Sequence, residues 1–131
     1  MRLLLDTHVA LWLTLGDRLL SPGERALLAA PDAEIAFSAV SVWELRLKWN
    51  SFHPSGTRKG PASPDDVLEV VRRARFVLLP LTPEQAAATL AVPIAHKDPF
   101  DELLLVQAQE AGLRLLTRDG KLLNHPLAVG G

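Results

Sequence analysis

The chain has no cysteine. That excludes a disulfide framework, thiolate metal ligation and thiol nucleophiles, and is compatible with a reducing compartment. No sign of charge dominates either: 14 basic residues oppose 15 acidic ones, for a formal net charge of −1. Nucleic-acid binding therefore gains no support from the overall balance. No apolar run approaches the roughly 18 residues of a membrane span. Arg2 followed by "LLLDTHVALWLTLG" loosely resembles a secretion signal, but Asp6 and His8 interrupt it and no small-residue cleavage site follows. The expectation is a soluble, cytoplasmic domain beginning at its first residue. The four histidines, His8, His53, His96 and His125, show no metal-ligand spacing. Each is read as a surface or hydrogen-bonding residue.

What is present is the composition of a globular protein, 48% apolar and 22% charged over 131 residues. That length suits one compact domain and is too short for two good cores. Four short apolar runs read as buried strands: residues 3–5, 34–39, 75–81 and 113–117. Helical segments lie between them at 7–15, 23–30, 64–74, 83–91 and 99–111. Three of these follow "SPGE", "SPDD" and "TPEQ", a capping hydroxyl, then proline, then acids at the positive end of the dipole. Gly112 is the natural stop of the 99–111 helix. Strands alternating with helices predict an α/β fold, a mainly parallel sheet covered on both faces.

The segment 41–49, "SVWELRLKW", alternates as a strand does, yet Val42, Leu45 and Trp49 also share a helix face. We read it as helix because Ser41 and Glu44 have capping-box spacing. Trp12, Trp43 and Trp49 are assigned by default to the core. The polar stretch 50–64 is the one long loop, and residues 46–75 hold seven basic residues against three acids. That excess could face a phosphate backbone or simply form a solvated surface.

Each acid alone has an ordinary explanation. Asp6 ends the first strand and could cap the helix at Thr7. Asp98 precedes Pro99 as a natural N-cap, with Asp101 at the third position of the first turn, and Asp119 lies in an Asp-Gly turn. Their joint placement carries more information. Asp6 and Asp119 close parallel strands, and Asp98 and Asp101 open the helix before the last of them. In open α/β sheets ligands bind outside those strand ends. Carboxylates gathered there repel unless a cation intervenes, and an all-oxygen set suits Mg²⁺ or Mn²⁺.

The motifs "LLLDTHVALWL", "SAVSVWELRLKW" and "HKDPFDELLLVQAQEAGLRLLTRDGKL", in that order, resemble the PIN-domain ribonucleases, specifically the VapC toxins of bacterial toxin–antitoxin pairs. The similarity runs from residue 1 to about 125. It implies a PIN-like fold, one domain over residues 1–131, with four or five mainly parallel strands flanked by helices. It implies a helical "SVWEL" segment, and an acid set of Asp6, Glu44, Asp101 and Asp119 that holds one or two Mg²⁺ (or Mn²⁺) ions. Asp98 ranks second for metal contact. The implied chemistry is hydrolysis of RNA phosphodiesters, with Thr117 as a polar helper and Arg46, Lys48 and Arg118 as candidate phosphate contacts. The implied partners are a second copy and a VapB-like antitoxin, together forming a heterotetramer or larger, with operator DNA reached only through the antitoxin. Two departures stand out. The loop after Trp49 lacks the short Gly-Lys pattern of many relatives, and Glu102 stands where many carry arginine. Rival readings are a PIN nuclease of RNA maturation without an antitoxin, and a non-catalytic RNA- or protein-binding module. An aspartyl-nucleophile phosphatase is disfavoured because "DTHV" lacks a second aspartate two residues on.

Overall fold

A computed structural model describes residues Met1–Gly131. Five strands, β1 (Arg2–Leu5), β2 (Glu34–Ser38), β3 (Val77–Leu79), β4 (Arg114–Leu116) and β5 (Ala128–Val129), form one sheet in the order β3-β2-β1-β4-β5. Every pairing is parallel. Seven helices connect and cover it: α1 (Thr7–Leu15), α2 (Pro22–Ala29), α3 (Ala39–Trp49), α4 (Pro64–Arg73), α5 (Pro83–Ala87), α6 (Pro99–Ala111) and α7 (Gly120–Leu123). A short 3₁₀ turn, Asp17–Leu19, follows α1. No helix is long and apolar enough to cross a membrane.

Strand β1 sits at the centre, which explains its unbroken run of leucines. Side chains alternate across a strand, so Leu3 and Leu5 enter one core with Val9, Phe37, Val67 and Val71. Leu4 enters the other, with Leu104, Leu105, Leu115 and Leu122. Helices α1, α2 and α4 close the first face; α6 and α7 close the second.

The structure corrects several boundaries. The strand expected over 75–81 shrinks to three residues because Arg75, at φ 61°, terminates α4 in a left-handed turn. Its neighbour Phe76 then donates back to the Val71 carbonyl. The helix expected over 83–91 ends at Ala87. Beyond it the Gln109 side chain takes the place of helical hydrogen bonds, accepting from Ala91 N (2.9 Å) and donating to Thr89 O (3.1 Å). That frees Leu90 to reach the second core. Helix α3 begins at Ala39 on an N-cap from Ser38, so Ser41 and Glu44 do not form the expected capping box. Trp43 is 49% exposed, against its assignment to the core.

A buried amide links three elements of the second face. Gln107 is fully buried; its oxygen accepts from the Ser38 hydroxyl and its amide donates to Pro80 O (3.3 Å) and Gln85 Oε1 (3.0 Å). These bonds tie α6 to the end of β2 and the start of α5. Replacing Gln107 with leucine takes away the acceptor of the Ser38 hydroxyl and the donor to Pro80 O, each costing about 1–3 kcal/mol if left unsatisfied, whereas Gln85 Oε1 still accepts from Thr82 N. Urea denaturation should show a loss of at least that size; a change below about 0.5 kcal/mol would mean that the network contributes only packing.

Candidate active site

The parallel sheet brings the C-terminal ends of β1, β2 and β4 side by side; Asp6, Glu44 and Asp119 lie on the segments leaving them, and Asp98 and Asp101 open α6, which leads into β4. Asp6 follows Leu5 directly and is 6% exposed. It occupies the N-cap position of α1, yet its side chain makes no capping hydrogen bond. Its Oδ2 instead accepts from the Thr117 hydroxyl at 2.7 Å, across 111 residues of sequence. The cap explanation for Asp6 therefore fails: the carboxylate faces the end of β4.

Glu44 lies on the second turn of α3. The Thr7 hydroxyl is 2.6 Å from its Oε1 and 2.8 Å from Ser41 Oγ. Having one proton, Thr7 gives it to the carboxylate, which leaves Ser41 as donor in the second bond. Lys48 Nζ lies 3.4 Å from the other carboxylate oxygen. Asp101 opens α6 and meets His96 Nε2 at 2.8 Å through its Oδ2. The His96 Nδ1 is buried without a partner.

Burial raises the carboxyl of Asp6, with the Thr117 hydroxyl and His8 opposing the shift and the charge of Glu44 adding to it. Burial likewise raises Asp101, with His96 opposing and the charges of Asp98 and Asp6 adding. Asp6, Glu44 and Asp101 therefore share one electrostatic neighbourhood, in which each carboxylate makes another harder to ionise.

The remaining expected residues divide clearly. Asp98 is the cap of α6, its Oδ1 accepting from Phe100 N (2.9 Å) and Asp101 N (3.3 Å). Asp98→Ala should cost about 1 kcal/mol by thermal or urea melting, whereas Asp98→Asn, which keeps the acceptor, should cost almost nothing. Equal losses in the two variants would show that the negative charge, not the cap, is what α6 needs. Asp119 is exposed and caps α7 through Lys121 N. It joins the buried acids only indirectly: its amide donates to Thr117 Oγ1 at 3.0 Å, and that hydroxyl donates to Asp6. Arg118 points elsewhere, pairing with both oxygens of buried Glu24, lying 3.8 Å over the Trp12 ring and donating to Leu19 O. Arg46 lies over Trp43, 5.0 Å from the ring centroid.

Sequence reasoning missed three contributors. Thr7 and Ser41 orient Glu44; Thr7 is signalled only by its adjacency to Asp6, and Ser41 is paired with Glu44 in the sequence, but as a capping box rather than through Thr7. His96 was read as a surface or hydrogen-bonding residue; nothing in its spacing marked Asp101 as its partner.

The donor chemistry fits a small divalent cation. The acids supply only oxygen ligands, they repel one another, and burial with the charge of Glu44 raises the carboxyl of Asp6. As the side chains stand, no three carboxylate or imidazole groups are gathered at ligand distance. Glu44 meets Lys48 and Asp101 meets His96 instead.

Comparison with known proteins agrees with this architecture. A family model described as PIN domain matches residues 3–126. The chain is 32% identical over 123 residues to Ribonuclease VapC22 of Mycobacterium tuberculosis (strain ATCC 25618 / H37Rv), covering 93% of this chain and 90% of that protein. Among solved structures, it resembles a chain in the crystal structure of VapBC2 from Rickettsia felis bound to a promoter DNA fragment. The TM-score is 0.59 at 16% identity, over 100% of this chain and 98% of that one.

Proposed function

Since the chain belongs to the PIN-domain family, in its VapC branch, we propose that it is an endoribonuclease, the toxin of a cytoplasmic toxin–antitoxin pair, and that Asp6, Glu44 and Asp101 hold its divalent cation. The observation that supports the proposal is the placement of Asp6 and Asp101 beside the strand ends, where burial and neighbouring carboxylates, Glu44 among them, hold both carboxyls above their usual range, a cost that a cation relieves. Mg²⁺ or Mn²⁺ held there would activate water and offset charge on the phosphate.

The side chains have distinct tasks in this reading. Thr117 holds Asp6 by one oxygen and leaves the other for the metal. Thr7 and Ser41 do the same for Glu44, and His96 for Asp101. Such partners fix a ligand's orientation before an ion arrives. Asp119, exposed beside Thr117, is placed to bind through water, and Asp98 acts through the helix it caps. Lys48 and Arg46, projecting from the same helix as Glu44, are the nearest cations for the RNA backbone. Arg118 would reach substrate only by leaving Glu24. In hydrolysis the water oxygen bonds to phosphorus, the bond to the leaving oxygen breaks, and a carboxylate of this cluster accepts the water's proton.

The partners proposed are a VapB-like antitoxin and a second copy of this chain. The test is incubation of purified protein with structured RNAs and Mg²⁺ or Mn²⁺. Metal-dependent internal cleavage is expected, and cleavage that survives EDTA would sink the metal mechanism.

A further inference from the structure

The net charge of −1 conceals a marked local asymmetry. Residues 45–64 contain no acid at all, but carry Arg46, Lys48, Arg58 and Lys59 together with Trp49 and Phe52. Of these four cations only Lys48 is paired with a carboxylate. The stretch starts immediately after Glu44 and forms the end of α3 and the loop beyond it.

The loop is folded back on the helix. Gly60 donates to Lys48 O at 3.1 Å and lies so close to Trp49 that a Cβ would stand 2.9 Å from its backbone nitrogen. Only glycine permits that approach. Phe52 and Arg58 pair across the loop as an antiparallel bridge. The Arg58 guanidinium lies 4.3 Å from the Trp49 centroid and 4.9 Å from that of Phe52, and donates to the Trp49 carbonyl. Phe52 belongs to neither core and is 52% exposed. The hydrogen bond from Arg58 to Trp49 would suffice to tie the loop down; it does not call for a half-exposed phenyl ring backed by a cation.

We propose that the Trp49–Phe52–Arg58 unit is a substrate subsite on which a base of single-stranded RNA stacks against Phe52, its phosphates drawn in by Arg58 and Lys59. The proposal rests on the ribonuclease reading above. Aromatic rings interleaved with unpaired cations are what unstacked RNA requires: a flat face for the base and positive charge for the backbone. The position is also right. Glu44 and Trp49 are five residues apart on one helix, about 7.5 Å along its axis and about 140° round it, so the platform lies on a neighbouring face of α3 beyond the proposed cleavage site. Double-stranded RNA, whose bases are stacked within the helix, gains nothing from such a surface.

Fluorescence anisotropy with a labelled, unstructured RNA of mixed sequence tests this, using Asp6→Asn protein so that the probe stays intact. Phe52→Ala and Phe52→Leu should weaken binding about 5- to 100-fold, and Phe52→Trp should restore it. Binding of a duplex RNA should not change among the three. Arg58→Gln should weaken binding and flatten its dependence on salt. Should Phe52→Leu bind like the parent, apolar contact rather than stacking is at work and the subsite is overturned. It is equally overturned if wild-type protein cleaves RNA while Phe52→Ala binds and cleaves as well as the parent; the ribonuclease reading then survives, and the ring belongs to a protein contact. If the wild-type chain neither binds nor cleaves RNA with Mg²⁺ or Mn²⁺, both readings fall together. Thermal melts identify any misfolded variant, in which case the leucine and tryptophan substitutions decide.

Discussion

Asp6→Asn is expected to abolish RNA cleavage while making the metal-free protein more stable at neutral pH. Loss of a residue that merely orients a metal ligand costs about 10- to 100-fold in activity. Losing a proposed ligand at the centre of the cluster should exceed about 100-fold by the same measure. The stability change has the opposite sign because burial raises the Asp6 carboxyl in the folded chain. Between its unfolded and folded pKa values the native state holds the proton more tightly, so stability falls as pH rises through that window. Above the folded value the whole penalty is present. Asparagine removes it and still accepts the hydrogen bond from Thr117.

Asp101→Asn should behave alike, since burial raises that carboxyl too. Cleavage assays beside melts in EDTA check both statements. A variant that is inactive and also less stable would make Asp6 a structural residue, and full activity in Asp101→Asn would remove it from the ligand set.

Arg118→Ala should lower stability by about 3 kcal/mol, the cost of leaving a buried charge without its partner. Glu24 is 1% exposed and has no other cation. The lower end of the range for buried pairs applies because Arg118 itself is 45% exposed. The hydrogen bond from Arg118 is the largest influence holding the Glu24 carboxyl below its usual value. A depressed carboxyl contributes stability above its unfolded pKa of about 4.3, and that contribution is lost as pH falls through the folded value. The gap between wild type and Arg118→Ala should therefore be full at neutral pH and close in acid. Adding Glu24→Gln to Arg118→Ala should recover part of the loss; no recovery in urea melts would mean that packing on Trp12, not the charge pair, accounts for it. Arg118 sits between Thr117 and Asp119, so the same substitution should loosen the loop that holds Asp6.

Local signals were the legible ones. Ser21, Ser63, Thr82 and Asp98, each followed by proline, start helices in the structure where their chemistry said they would. The leucines of β1 announced a buried strand, which the sheet places at its centre. The resemblance to PIN-domain ribonucleases named the fold, and the sheet and the family match bear it out. What failed depended on distant partners. Asp6 has the position of a cap, and only the arrival of Thr117 shows where its side chain points. Glu24 read as an ordinary first-turn acid, because its partner lies 94 residues away. Strand β5 is two residues long, too short for any periodicity, and exists because β4 offers it an edge.

The bond between Asp6 and Thr117 also sets an order in time. A ribosome releases roughly 5–20 residues per second, so the first acid of the cluster is made several seconds before the strand that must lie beside it. Pairing of such remote segments comes late in folding, because loop closure must precede any reward. A growing chain of this kind carries its carboxylates without an assembled centre, and the interval ends only when β4 docks against β1. Under the proposed function, the nascent chain would lack its complete acid cluster while still attached to the machinery that is reading its message.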